Sequence, residues 1–286
     1  MAWPARLTLD YLADSHVASH ATAGAVRTRR RSSHDGPLRV LKSLWPEGGA
    51  VCHDVLVHPP GGLVGGDTLA IELDVRAGAH ALLTTPSAAR FYRSTGAPAT
   101  QAVHARVEPG ARLEWLPLET LVYSGAIARS RLAFELAPGA EMIGWDLVAL
   151  GQPASDLAFV AGSYAHEIAL PGRWLDRGRT DAADRALLDG PAGWDGCRAL
   201  GTLWFATGDR LDPAREAALL EAARGPAEAH PLSLRAGVTA VHDGLVVMRV
   251  LADRVEPEFD LMRRVWQAWR PLAWDRAAHE PRVWRT

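Results

Sequence analysis

Cysteine is scarce in this chain: Cys52 and Cys197 are the two in 286 residues, and neither sits in a C-x-x-C pair. That spacing excludes a disulfide framework and a structural zinc signature, and it suits a reducing compartment. Lysine is almost absent, so arginine supplies nearly all of the positive charge. A charge excess is missing too, because 31 basic residues face 33 acidic ones for a net charge of -2. No global field recruits nucleic acid or an anionic membrane, and partners must be recognised locally. No apolar run approaches the ~20 residues needed to cross a bilayer. The start, Met1-Ala2-Trp3-Pro4-Ala5-Arg6, lacks the apolar stretch of a signal peptide, and Asp10 and Asp14 come early. The expectation is a cytoplasmic protein.

What is present is ordinary for a globular chain, at 48% hydrophobic and 22% charged residues. The length exceeds the ~100–200 residues of a typical domain yet fits one large β architecture. The 11 tryptophans are a heavy load. Tryptophan and arginine favour the centres of interfaces, although tryptophan fills ordinary cores as well.

Alternation dominates the pattern. Leu69, Ile71, Leu73 and Val75 face one way while Glu72 and Asp74 face the other, as in a half-buried strand. Leu7, Leu9 and Tyr11, then Leu113 and Trp115, then Leu132, Phe134 and Leu136, repeat the theme. Tight turns at Gly78, Gly110 and Gly139, with a looser copy at Pro171-Gly172, recur about every thirty residues, as stacked β units require. Asp243-Gly244 predicts a hairpin between Val238–Val241 and Leu245–Leu251. Two helices are predicted late. One covers about 213–224, capped by Asp212 and stopped at Gly225-Pro226; the other covers about 257–270, ended by Pro271, with Phe259, Met262, Val265, Trp266 and Trp269 on one stripe. The β body spans about 1–210 and 230–252 within a single domain of 1–286, and segments 24–36 and 176–198 look like exposed loops. The expected fold is therefore mainly β, a stacked-sheet, β-helix-like body with a small C-terminal helical element.

The most unusual string is His58-Pro59-Pro60-Gly61-Gly62-Leu63-Val64-Gly65-Gly66-Asp67. A phosphate loop would need Lys and Ser or Thr after its last glycine, and Asp67 puts an anion there instead, so the glycines predict a tight turn with close backbone approach. No G-x-S-x-G elbow or H-E-x-x-H helix offers a catalytic anchor. His16 and His20 share a helix face only if their segment is helical, and the residues upstream alternate like a strand. Cys52, His53 and His58 make a candidate soft metal site. Asp67, Glu119, Asp146 and Asp156 are carboxylates beside Gly or Pro motifs, hard oxygen ligands able to hold a divalent ion weakly.

Five separated strings together resemble the UreD (UreH) family of urease accessory proteins. They are His58 to Asp67; Ala81 to Ser94, including Ala88-Ala89-Arg90-Phe91-Tyr92-Arg93; Leu113-Glu114-Trp115-Leu116-Pro117-Leu118-Glu119-Thr120; Gly144-Trp145-Asp146 with Leu150-Gly151-Gln152-Pro153; and Trp269-Arg270-Pro271 with Pro281-Arg282-Val283-Trp284. They run in family order over nearly the whole chain. Asp275-Arg276 departs from the Gly-Arg pair usual after the Arg-Pro, and residues 176–198 carry nothing diagnostic.

The resemblance implies a maturation chaperone with no catalysis of its own. It would join UreF and the GTPase UreG, dock on apo-urease, and assist GTP-dependent nickel insertion, with room for a dimer in the accessory complex. No cofactor would be held permanently, and nickel would bind transiently. Along the implied passage the candidates are Asp67, Glu119 and Asp146, since weak oxygen ligands release an ion that a soft site would trap. For docking they are Phe91, Tyr92, Arg93, Trp269, Arg270, Arg282 and Trp284. One rival is a metal-dependent β-helical hydrolase or lyase built on Cys52, His53 and His58; another is a scaffold without metal traffic.

Overall fold

The computed structural model describes residues 2–14 and 26–285, and His16 and His20 lie outside them. The strands run β1 (Pro4–Asp14), β2 (Arg27–Asp35), β3 (Arg39–Val40), β4 (Val51–Val57), β5 (Thr68–Val75), β6 (His80–Thr84), β7 (Ala89–Phe91), β8 (Ala99–Val107), β9 (Arg112–Trp115), β10 (Thr120–Val122), β11 (Ile127–Leu136) and β12 (Glu141–Leu150). After them come β13 (Ser163–Leu170), β14 (Trp174–Asp181), α1 (Arg185–Asp189), β15 (Ala199–Thr207), α2 (Pro213–Glu228), β16 (Ala236–His242), β17 (Leu245–Ala252) and α3 (Val255–Trp274).

Three times the chain leaves one sheet at a glycine and enters the facing one: β5 to β6 at Gly78, β8 to β9 at Gly110, and β11 to β12 at Gly139. Those glycines have φ of +73°, +71° and +78°, a conformation that strains any residue with a Cβ. The turns stack, with Gly110 N–H donating to the Gly139 carbonyl at 3.1 Å. Because the repeat preserves register, like positions lie side by side. Leu7, Ile71, Val103, Leu132 and Ile168 form one buried ladder across five parallel strands. The result is the expected stacked-sheet, β-helix-like body. A seven-stranded sheet, ordered β14-β13-β11-β8-β5-β1-β2, faces a ten-stranded sheet. The second sheet is ordered β16-β17-β15-β12-β9-β6-β4-β3, with β7 and β10 attached through β12.

The apolar side of each sheet packs against the other, and the outer face of the ten-stranded sheet is covered by α2 and α3. Strands β12 and β15 are thus buried on both faces, which explains their nearly continuous apolar runs. Helix α3 lays Leu261, Met262, Val265, Trp266 and Trp269 on the sheet, and all five are fully buried. Burial of each contributes about 1.5–3 kcal/mol.

Several boundaries differ from the sequence expectation. Both helices run through their prolines, α2 past Pro226 to Glu228 and α3 past Pro271 to Trp274. Each proline lies close to the C-terminal end, where it forfeits one ladder bond while packing on the sheet holds the turn. Segment 24–36 contains β2, which pairs antiparallel with β1 as an exposed edge, and 176–198 contains most of β14 and all of α1, so neither is a plain loop. The looser Gly172 turn does not continue the stack: it folds β14 back antiparallel on β13. The Asp243-Gly244 hairpin joins β16 and β17 as predicted. No helix among the described residues is long and apolar enough to cross a membrane.

Candidate functional site

The glycine-rich loop ahead of β5 packs against the segment around β7. Leu63 N–H donates to the Arg90 carbonyl at 2.7 Å, and Tyr92 N–H donates to the Leu63 carbonyl at 2.8 Å. The approach is close enough that a Cβ on Gly62 would lie 2.3 Å from the Tyr92 ring, which is the physical need for glycine there. Asp67 anchors the loop: one carboxylate oxygen accepts from Trp3 N–H at 2.9 Å and the other from Val64 N–H at 2.9 Å.

Behind this loop a cavity of about 100 Å³ lies between the sheets, walled by four of the five strings. The first supplies His58, Gly61, Gly62 and Leu63; the second Thr85 to Arg90; the third Trp115, Pro117, Leu118 and Thr120; and the fourth Asp146. The fifth closes over the opposite face of the sheet, where Trp284 Nε1 donates to Thr84 Oγ1 at 2.8 Å and its ring meets Trp145, Phe259 and Trp266 at 5.3–5.5 Å.

Of the three carboxylates expected along a passage, only Asp146 lines the cavity. Burial pushes its carboxyl up to about 6, with His166 drawing it back and Asp176 adding to the rise. Glu119 lies beside the lining residues Leu118 and Thr120, and burial and the charge of Glu256 raise its carboxyl. Asp67 is buried, with both oxygens engaged by backbone amides. The structure therefore separates the three: one in the cavity, one on the adjoining segment, one stapling the wall.

The Cys52, His53 and His58 grouping does not form. Successive side chains on β4 point to opposite faces. The Cys52 thiol therefore turns toward Asp54 at 3.9 Å in the inter-sheet core, whereas His53 Nε2 pairs with Glu47 at 2.6 Å. Burial pushes Cys52 up to about 12, leaving a thiol that is a poor ligand near neutral pH. Only His58 reaches the cavity, its imidazole shifted down by burial against the opposing charge of Asp67. Among the described residues no group of three or more His, Cys, Asp or Glu side chains is placed to hold a metal ion.

The docking candidates divide in the same way. Phe91, Trp269 and Arg270 are fully buried and present nothing to a partner. Trp269 Nε1 donates to the Leu219 carbonyl at 2.8 Å, clipping α3 to α2. Arg270 holds Glu47 at 2.7 Å and Glu114 at 3.0 Å, and Glu114 also accepts from His80 Nε2 and Trp266 Nε1. Their place on strings with family spacing reflects packing rather than recognition. Arg93 and Arg282 are exposed, and Tyr92 and Trp284 are half-buried. Tyr92 meets Tyr123 edge-on at 5.1 Å, and beside them the exposed Leu157 and Val160 complete an apolar patch.

One residue was missed. Glu258 on α3 is fully buried, and burial, with Glu119, Asp146 and Glu256 nearby, raises its carboxyl well above the usual range. The signal was in the sequence: Glu258 precedes Leu261 and Met262 by three and four residues, the spacing of the stripe α3 buries.

A parallel β solenoid backed by two helices, enclosing a small cavity with one carboxylate in it, defines the class of molecule. The chain belongs to the UreD family of urease accessory proteins, whose family model matches residues 12–285. It is 51% identical over 284 residues to the urease accessory protein UreD of Polaromonas sp. (strain JS666 / ATCC BAA-500), covering 99% of each chain. It is 52% identical, with the same coverage, to that of Albidiferax ferrireducens. It is 54% identical to that of Methylibium petroleiphilum, over the full length of both.

Proposed function

We propose that the chain serves urease maturation as a non-catalytic cytoplasmic chaperone. With UreF and UreG it docks on apo-urease and passes nickel toward the active site during GTP-dependent insertion, holding the ion only in transit. The observation that carries this is the convergence of four separated family strings on one internal cavity whose carboxylate is Asp146. A hydrated divalent ion needs oxygen ligands that exchange readily, and one or two carboxylates with no cage around them meet that need. In this scheme Asp146 meets the ion in the cavity, Glu119 stands on the segment beside it, and Asp67 keeps the wall in shape.

Tyr92, Arg93, Arg282 and Trp284 remain as docking anchors because each retains exposed surface. The test is activation of apo-urease by nickel and bicarbonate with purified UreF, UreG and this chain. Asp146→Ala is expected to lower activated urease by roughly tenfold, the order of effect when a metal-handling group is lost. A scaffold without metal traffic predicts that Asp146→Ala changes nothing.

A further inference from the structure

The hydrogen-bond ladder of the ten-stranded sheet opens next to the cavity. Strand β12 is paired with β9 over Glu141–Gly144 and with β10 over Val148–Leu150, so on that edge Trp145, Asp146 and Leu147 have no strand beside them. The chain between β9 and β10 bows across the opening, held by Trp145 Nε1 donating to the Pro117 carbonyl at 2.6 Å. Successive side chains of β12 alternate between the two layers here. Asp146 lines the cavity, while Trp145 and Leu147 pack into the layer under α3.

Helix α3 covers the far side of the same opening. Phe259 packs on Trp145 with ring centroids 5.7 Å apart, and the preceding residue, Glu258, is wholly shielded from solvent with neither carboxylate oxygen hydrogen-bonded. Other buried carboxylates here are matched: Glu47, Asp54 and Glu114 each hold an arginine. Glu258 has no such partner among the described residues, and the charges bearing on it are those of Glu119, Asp146 and Glu256, all of its own sign. Leaving a carboxyl unsatisfied in an apolar layer is costly, so its presence calls for an occupant that this side chain is kept to meet. Beyond it stands Glu256, exposed at the start of α3.

We propose that Glu258 is a cation station: a divalent ion leaving the inter-sheet cavity at Asp146 crosses the ten-stranded sheet through the opening beside Trp145, is received by Glu258, and emerges at Glu256. This rests on the reading of the cavity as an ion passage and adds its direction, toward the amino end of α3. Carboxylates offered one or two at a time leave most of the ion's waters in place, so each step is weak and reversible. On binding, Glu258 contributes an anionic oxygen and any proton it carries leaves to solvent.

Glu258→Gln keeps the shape and removes the anionic oxygen, whereas Glu258→Asp keeps the carboxylate. The experiment uses the full complex with UreF and UreG, apo-urease and Ni²⁺. Nickel incorporated into urease is read by elemental analysis, and Ni²⁺ retained by the accessory complex alone by equilibrium dialysis. Expected are unchanged co-purification and thermal midpoint for both variants, at least a tenfold fall in nickel incorporated with weaker retention for Glu258→Gln, and transfer within a few-fold of wild type for Glu258→Asp. Wild-type transfer and retention by Glu258→Gln, with Asp146→Asn impaired, would overturn the station and leave the passage standing. A wild-type complex that adds no nickel beyond urease alone would overturn both.

Discussion

Arg270 shows how much one side chain can decide. Its guanidinium is fully buried and braces α3 against the sheet through Glu47 and Glu114, a planar fork meeting two carboxylates. Removing one partner of such a set strands the others in an apolar layer, so Arg270→Leu is expected to cost about 3–5 kcal/mol, read from urea denaturation. Glu47 adds a pH dependence. Burial alone would raise its carboxyl, but hydrogen bonds from His53 and Arg270 more than reverse this and hold it at about 2. A depressed folded value means its stabilisation is present above the ordinary carboxylate range and is lost as pH falls from about 4.5 toward 2. Glu47→Gln is expected to flatten the acid limb of the denaturation midpoint over that window. Gly144 is a third such residue, since a Cβ there would lie 2.4 Å from the buried Trp204 indole. Gly144→Ala is expected to destabilise by about 1–3 kcal/mol in the same measurement.

Among the elements, α2 and α3 hold the most consequence. The sheet face they cover is as apolar as the inter-sheet core, so the helices complete the fold rather than decorate it. Asp212 caps α2 by accepting from Ala214 N–H at 2.9 Å and Arg215 N–H at 3.3 Å. Arg215 then reaches the Ala273 carbonyl at the end of α3 at 3.0 Å, linking the two helices. Asp212→Ala is expected to lower stability by about 1 kcal/mol, seen as a shifted urea midpoint. The strands need no comparable cap, because each repeat is held by its neighbours above and below.

For the molecule as a whole, the charge balance leaves recognition to local features, and the side of the solenoid formed by the loops after β7, β10 and β12 offers one. Arg93 lies exposed there with its stem against Gly125, next to the apolar surface of Leu157 and Val160. The pair Arg93→Glu and Arg282→Glu is expected to keep the thermal midpoint and to weaken co-purification with UreF, UreG and apo-urease at least tenfold. An unchanged complex would move docking to another face.

The amino-acid order by itself determined the solenoid. Period-two alternation marked the strands and glycine turns about every thirty residues pointed to stacked units, because a turn with positive φ at a fixed interval places like strands in register. It also placed Asp67, Glu119 and Asp146 in strings that resemble the family. Only the tertiary structure decided which faced the cavity, and that Phe91, Trp269 and Arg270 belong to the interior. The reason is that β12 is buried on both faces, while α3 carries charged residues on the one stripe it buries. Where both faces of a strand are apolar, alternation no longer tells inside from outside, and an arginine or glutamate on a helix reads as a surface residue until its partners, or for Glu258 their absence, are seen.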